Sequence, residues 1–180
     1  MNHENKGITM PLSKDRLDLD INKSKSRILK KILAILQFQF ETDVFEQILT
    51  SDNINIEFSR NTGNMKYVFL KKERLLSYKP TTGMFSLSLL GAKLLHSHSS
   101  SPKHRVIIKS EVEDFIREGK SVFSHHVIQI EENLRIGCEV LVVNEQDDLV
   151  GLGKLSVPPS YAGLFVGQAV AVRKGIPKIS

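Results

Sequence analysis

Residues 119–127, Gly-Lys-Ser-Val-Phe-Ser-His-His-Val, gather the side chains best suited to chemistry: Lys120, Ser121, Ser124, His125 and His126. Serine and histidine this close raise nucleophilic hydrolysis, and paired histidines raise a metal site. Alternation along a predicted strand puts Ser121, Phe123 and His125 on one face and Ser124 and His126 on the other. A triad needs serine, histidine and an orienting acid on one face, and no acid stands at a convincing place. His96, His98 and His104 form a second group, without the Asp, Glu or Cys that would complete a metal site. The lone Cys138 excludes an internal disulfide framework and any CxxC zinc knuckle. It follows Gly137 at the start of an apolar run and reads as packing filler. The sequence therefore predicts no catalytic residue, no metal and no cofactor, and Gly119-Lys120 reads as a loop able to touch a ligand.

The elements that position this loop follow from periodicity. Residues 1–23 are polar and read as a flexible tail. From a Ser24 cap, Ile28, Leu29, Ile32, Leu33, Ile35 and Leu36 recur at helical spacing, with Lys25, Arg27, Lys30 and Lys31 as a basic face. A short helix is expected over Asp43–Leu49, then strands at Ile54–Phe58, Met65–Leu70 and Arg74–Tyr78. Phe85–Leu90 runs into the end of a helix at Gly91–Leu95. Phe38, Phe40, Phe45, Phe69 and Phe85 have core spacing, and any left exposed would mark a protein interface.

Residues 24–96 thus form a small α+β unit. The Ser-rich stretch 97–104, within His-Ser-His-Ser-Ser-Ser-Pro-Lys-His, reads as a solvated linker. Residues 105–180 hold a strand at Arg105–Lys109, a helix at Glu111–Arg117 ended by Gly119, and strands at Val122–Ile130, Glu139–Asn144, Leu149–Leu155 and Ala169–Arg173. This spacing predicts a small mixed β-barrel with one or two short helices.

The totals set bounds. At 180 residues the chain cannot hold a (β/α)₈ barrel, which needs about 250. The net charge of +5 suits a polyanionic partner, and residues 1–102 carry all of it, with 15 Lys+Arg against 10 Asp+Glu. Residues 103–180 carry 10 of each, so any phosphate-binding surface there is a local patch. No apolar run approaches the roughly 18 residues of a membrane span, and no signal-peptide pattern opens the chain. The sequence reads as a cytoplasmic protein.

Three phrases in order, EDFIREGKSVFSHHV, IGCEVLVVNEQDDLVGLGK and GLFVGQAVAVRKG, resemble the PUA domain, an RNA-binding module, over residues 105–175. Cys138 stands where the family commonly has an acid, and residues 156–163 depart from its usual pattern. Residues 30–95, with LAILQFQF and FSRNTGNMKYVFLKKERLLSYKPTTGMFSLSLLGAKLL, resemble the domain preceding PUA in archaeal tRNA-guanine (archaeosine) transglycosylase. Glu41 and Thr82 depart from the Gly and Asp of that pattern.

The resemblance implies RNA contact through Gly119, Lys120, Ser121 and Val122, where glycine lets the backbone approach a phosphate. It also implies stacking or phosphate contact by His125, with Arg117, Lys154, Arg173 and Lys174 completing the patch. The zinc-binding catalytic barrel of the family has no room here. The implied function is a tRNA-binding, non-catalytic subunit that positions tRNA for archaeosine-precursor base exchange by a separate transglycosylase chain. The alternative is a free-standing RNA-binding factor in ribosome biogenesis or translation. The sequence leaves open whether the chain forms a homo-oligomer.

Overall fold

The computed structural model describes residues 14–164 and 166–178. Helix α1 spans Lys14–Phe40, so it starts ahead of the expected Ser24 cap, and Ser24 lies inside it. The expected tail over residues 1–13 lies outside the described residues. Ile32, Leu36 and Phe40, four apart, are buried, while Lys25, Arg27, Lys30 and Lys31 are exposed. One stripe of the helix therefore faces the core and the cations face water. Helix α2 (Val44–Leu49) buries Phe45 and Leu49 against it.

A four-stranded meander follows, β1 (Ile54–Phe58), β2 (Met65–Leu70), β3 (Glu73–Lys79) and β4 (Met84–Leu87), every neighbouring pair antiparallel. Gly63 at φ +67° makes the β1–β2 turn. Helix α3 (Leu89–His98) is capped by the Ser88 hydroxyl, which accepts from the Gly91 N–H. Gly91 packs so closely on β3 that a β-carbon there would lie 2.6 Å from the Leu75 carbonyl oxygen.

The second sheet has the order β6-β10-β9-β8-β5-β7. Its strands are β5 (Arg105–Ile108), β6 (Val122–Phe123), β7 (Val127–Ile130), β8 (Glu139–Val143), β9 (Leu149–Leu155) and β10 (Gln168–Gly175), with helix α4 (Glu113–Arg117) between β5 and β6. Among the described strands of this sheet, β5 and β8 alone pair in parallel. The single strand expected at Val122–Ile130 is two strands on opposite sheet edges, joined by a 3-10 turn at Ser124–His126. The Ser124 N–H bonds to the Gly167 carbonyl, and the Lys109 N–H bonds to the His126 carbonyl. The chain thus leaves β10 and joins β5 within three residues, bringing the sheet close to a closed barrel.

The second unit has its own apolar core, with Val106, Ile116, Val142 and Val170 in it, and the core of the first unit reaches across the seam to three further residues. Leu141, Leu152 and Ile176 of the second unit pack with Phe40, Phe85 and Leu95 of the first. The stretch expected as a solvated linker is partly internal. Arg105 is 1% exposed and donates to Asp147 Oδ1 (2.7 Å), Ser99 Oγ (3.0 Å) and the carbonyls of His96, Ser99 and Lys103. One guanidinium therefore ties the end of α3 and the following loop to the barrel, with its donors satisfied. His104, at φ +60°, is buried with its ring edge-on to Phe40.

Candidate nucleic-acid interface

The end of α4 builds the first candidate surface. The Gly119 N–H bonds to Ile116 O and the Lys120 N–H to Phe115 O, which closes the helix with Gly119 at φ +90°. Nothing lies within 4 Å of where a Gly119 β-carbon would sit, so the loop is open to an approaching backbone. Lys120 is exposed and Ser121 half-buried. Val122 is buried, so only its backbone could meet a ligand.

The Ser-His-His turn extends this edge. Phe123 stacks on His125 with ring centroids 6.2 Å apart and planes at 30°, and the His125 and His126 centroids are 3.8 Å apart. Phe123 and His125 are exposed. The 3-10 turn replaces the strict alternation expected here and sets adjacent rings side by side. Ser124 is fully buried and its hydroxyl has no hydrogen-bond partner among the described residues, so neither histidine acts on it. His126 Nδ1 lies 3.5 Å from Glu111 Oε1. Among the described residues no group of three His, Cys, Asp or Glu is placed to hold a metal.

Phe123 pairs with Gln168, so the exposed Tyr161, Leu164 and Val166 lie on the loop that ends beside this edge. Phe123 and Tyr161 escape sequence reasoning because exposure of an aromatic in a strand or loop leaves no periodic mark.

The other expected residues divide. Lys174 is exposed on β10 beside Gly175, whose backbone packs on the Arg117 carbonyl near Gly119. Arg117 is mostly buried, donating to Glu113 Oε1 (2.7 Å) and the Ile176 carbonyl (2.6 Å), which anchors α4 to the chain after β10. Glu113 also accepts from Asn144, and this bond, ahead of the Arg117 interaction, holds its carboxyl below the usual carboxylate range. Arg173 is turned to the inter-unit seam, bonding Glu139 Oε1 and the Leu87 carbonyl. Lys154 sits opposite Glu139 on β9 and lines a cleft between the units, away from the Gly119 loop. The structure thus groups Gly119, Lys120, Ser121 and His125, with Lys174 nearby, and sets Arg117 and Arg173 to internal bonds.

Of the five phenylalanines expected in the core, Phe40, Phe45 and Phe85 are buried and Phe69 half-buried, whereas Phe38 is 74% exposed. It also lines that cleft.

Comparison with known families meets this geometry at both units. Residues 30–102 match the patch-forming domain C2 of tRNA-guanine transglycosylase, and residues 104–175 match the PUA domain. The chain joins a C2 domain to a PUA domain. It is 36% identical over 151 residues to the tRNA-guanine(15) transglycosylase of Methanobrevibacter smithii, covering 83% of this chain and 23% of that protein. With the enzyme of the same name from Thermococcus onnurineus it shares 33% over 163 residues, 89% of this chain and 28% of that protein. The C2–PUA chain thus spans about a quarter of the length of these curated relatives.

Solved structures share the fold. A hypothetical protein from Pyrococcus horikoshii superposes with a TM-score of 0.65 at 17% identity, covering 83% of this chain and 90% of that one. A conserved PUA domain protein from Thermoplasma acidophilum gives 0.55 at 13% identity, covering 85% and 89%.

Proposed function

We propose that the C2–PUA chain is a tRNA-binding, non-catalytic subunit that positions tRNA for base exchange by a separate transglycosylase chain. The observation that carries this reading is the tandem match: both units align, in order, with about a quarter of enzymes named tRNA-guanine(15) transglycosylase. The open Gly119 loop, Lys120 and the Phe123–His125 stack supply what a structured RNA needs: backbone N–H groups and charge for phosphates, and a ring for an unpaired base. The exposed basic face of α1 adds a second surface for the phosphate backbone. Exposed Phe58, Leu164 and Val166 offer apolar surface to a protein partner. A subunit that grips tRNA away from the reacting base contributes by orienting that base, because remote binding energy can be used to position the reacting centre.

Filter or gel-shift binding of a tRNA transcript, with purification of a tagged chain from its own cells, tests the reading. Salt-sensitive tRNA binding and recovery of a transglycosylase chain are expected. Absence of both refutes it.

A second reading, a free-standing RNA-binding factor in ribosome assembly or translation, is favoured by one observation. The Pyrococcus and Thermoplasma proteins are matched over about nine tenths of their own length, so this two-unit fold also occurs in solved chains with no catalytic barrel attached. Recovery of ribosomal particles without a transglycosylase would favour it.

A further inference from the structure

The four-stranded sheet of the C2 unit has two edges, β1 and β4, and they are finished differently. At β4 the outward backbone groups of Phe85 and Leu87 are closed by side chains. Gln39 takes both groups of Phe85, its Nε2 donating to the carbonyl (2.7 Å) and its Oε1 accepting from the N–H (2.9 Å). The Leu87 N–H donates to Glu139 Oε1, and the Leu87 carbonyl accepts from Arg173. An open strand edge is a template for another chain, and covering it in this way removes the template.

No such seal covers β1. Two bonds fix which of its backbone groups face outward: the Lys71 N–H donates to the Asn53 carbonyl (2.7 Å) and the Ser59 N–H to the Asn64 carbonyl (2.8 Å). Asn53 and Ser59 therefore direct their backbone groups at β2. Alternation along an antiparallel strand turns those of Asn55 and Glu57 the same way and those of Ile54, Ile56 and Phe58 outward. Among the described residues, nothing pairs with the N–H groups of Ile56 and Phe58 or with the carbonyls of Ile54, Ile56 and Phe58. The strand, Ile-Asn-Ile-Glu-Phe, holds neither the Pro nor the Lys that commonly blunts an edge. Its one irregularity against β2 inserts Lys66 into β2 and leaves β1 regular. Ile56 packs on the first unit's core, and Phe58, on the same face two residues on, is 42% exposed.

Hydrogen-bonding phase leaves one antiparallel register that uses all three outward residues. A second β1, turned about a two-fold axis beside Ile56, sets Ile56 against Ile56 of the second copy and Ile54 against its Phe58. The axis is perpendicular to the sheet, so the core faces of the two copies continue into one another and Phe58 gains an apolar neighbour. On the outer face Asn55 meets Glu57 of the second copy, so no two carboxylates oppose. Beyond the strand ends the same register brings Asp52 alongside Arg60 of the second copy, at both ends by symmetry. Both residues are exposed in the single chain. The edge is thus complementary to its own reverse in backbone groups, apolar face and charge.

We propose that the chain forms a two-fold dimer by antiparallel pairing of β1 with β1 of a second copy, joining two four-stranded sheets into one of eight strands. The contact is isologous, so assembly stops at two. A five-residue ladder lies at the small end of specific interfaces, so the dimer forms reversibly with a Kd on the order of 10–100 μM. The dimer is independent of the RNA-binding reading above, since the Gly119 loop takes no part in it.

Sedimentation equilibrium of the intact chain between roughly 1 and 500 μM tests the proposal, with a monomer–dimer equilibrium and nothing larger expected. Asp52→Arg and Arg60→Asp each set like charges against one another at both ends of the ladder, and each is expected to weaken the dimer by roughly tenfold. Both positions lie outside every helix and strand, and melting temperatures check the fold. The double variant restores opposite charges and is expected to return to within about threefold of the parent, which a folding defect would not do. Hydrogen exchange at the Ile56 and Phe58 amides is expected to slow as concentration rises through the Kd.

A chain monomeric throughout that range, a dimer indifferent to both single substitutions, or a dimer whose two amides exchange at the monomer's rate overturns the proposal. So does growth beyond two copies. Binding of tRNA by a chain that stays monomeric overturns the dimer alone, and a dimer that binds no tRNA overturns only the RNA-binding reading.

Discussion

Replacing Arg173 with alanine separates structural cations from RNA-binding ones. The Arg173 guanidinium bonds Glu139 Oε1 and, at 2.7 Å, the Leu87 carbonyl, while the Leu87 N–H donates to the same Glu139 oxygen. One residue of β4 in the first unit is thereby held from both sides by the second. The Glu139 side chain is 2% exposed, so removing Arg173 leaves a buried carboxylate without its cation. Breaking a fully buried pair this way costs about 3–5 kcal/mol. The Arg173 side chain is 36% exposed, so water enters and screens part of that charge. The expected loss is about 2 kcal/mol, or roughly 4–8 °C in a chain of this size. Urea unfolding followed by circular dichroism measures it, with Lys120→Ala as the comparison, expected within about 0.5 kcal/mol of the parent. An Arg173→Ala protein with an unchanged urea midpoint and tenfold weaker tRNA binding would refute the seam role and return Arg173 to the RNA surface.

Further outcomes follow from the same geometry. Lys120→Glu is expected to weaken tRNA binding and to lower the slope of log affinity against log salt by about 1, which a salt series reads directly. Gly119→Ala meets no clash and is expected to cost about 1 kcal/mol for its positive φ. Gly175→Ala drives a methyl into the Arg117 carbonyl and is expected to cost about 3 kcal/mol or more in the same urea assay. His104 has its pKa lowered by burial, so at mildly acidic pH the unfolded chain binds a proton that the folded chain does not. Stability is therefore expected to fall as pH drops below about 6.5, and His104→Leu to flatten that decline. Glu113, held below the usual range chiefly by Asn144, adds stability present above the unfolded value and lost as pH falls through the folded one. Glu113→Gln is expected to remove that part of the acid transition.

Periodicity in the sequence located β1 and β2 at Ile54–Phe58 and Met65–Leu70 and β9 at Leu149–Leu155, because each lies between clear turn signals. It also exposed the α1 stripe from Ile28 to Leu36, although in sequence Leu17 and Ile21 already precede Ile28 at helical spacing. The break at Ser124–His126 was not legible. Both halves have strand composition, and what divides them is a change of hydrogen-bonding partner from β10 to β5, a long-range fact. The internal bonds of Arg105 and Arg173 and the burial of His104 left no local mark in the sequence, because Asp147, Glu139 and Phe40 come from far along the chain. The Gly119-Lys120 loop was legible because a helix stop followed by a strand is a local pattern. The inter-unit cleft was not, because its lining comes from both units.

The most direct test of the central claim is exchange of labelled guanine or 7-cyano-7-deazaguanine into tRNA by the candidate catalytic chain, with and without this protein. A positioning subunit predicts that incorporation appears or rises sharply only when both chains are present, and that Lys120→Glu reduces the gain. Full incorporation by the catalytic chain alone, with no association between the two, would contradict it.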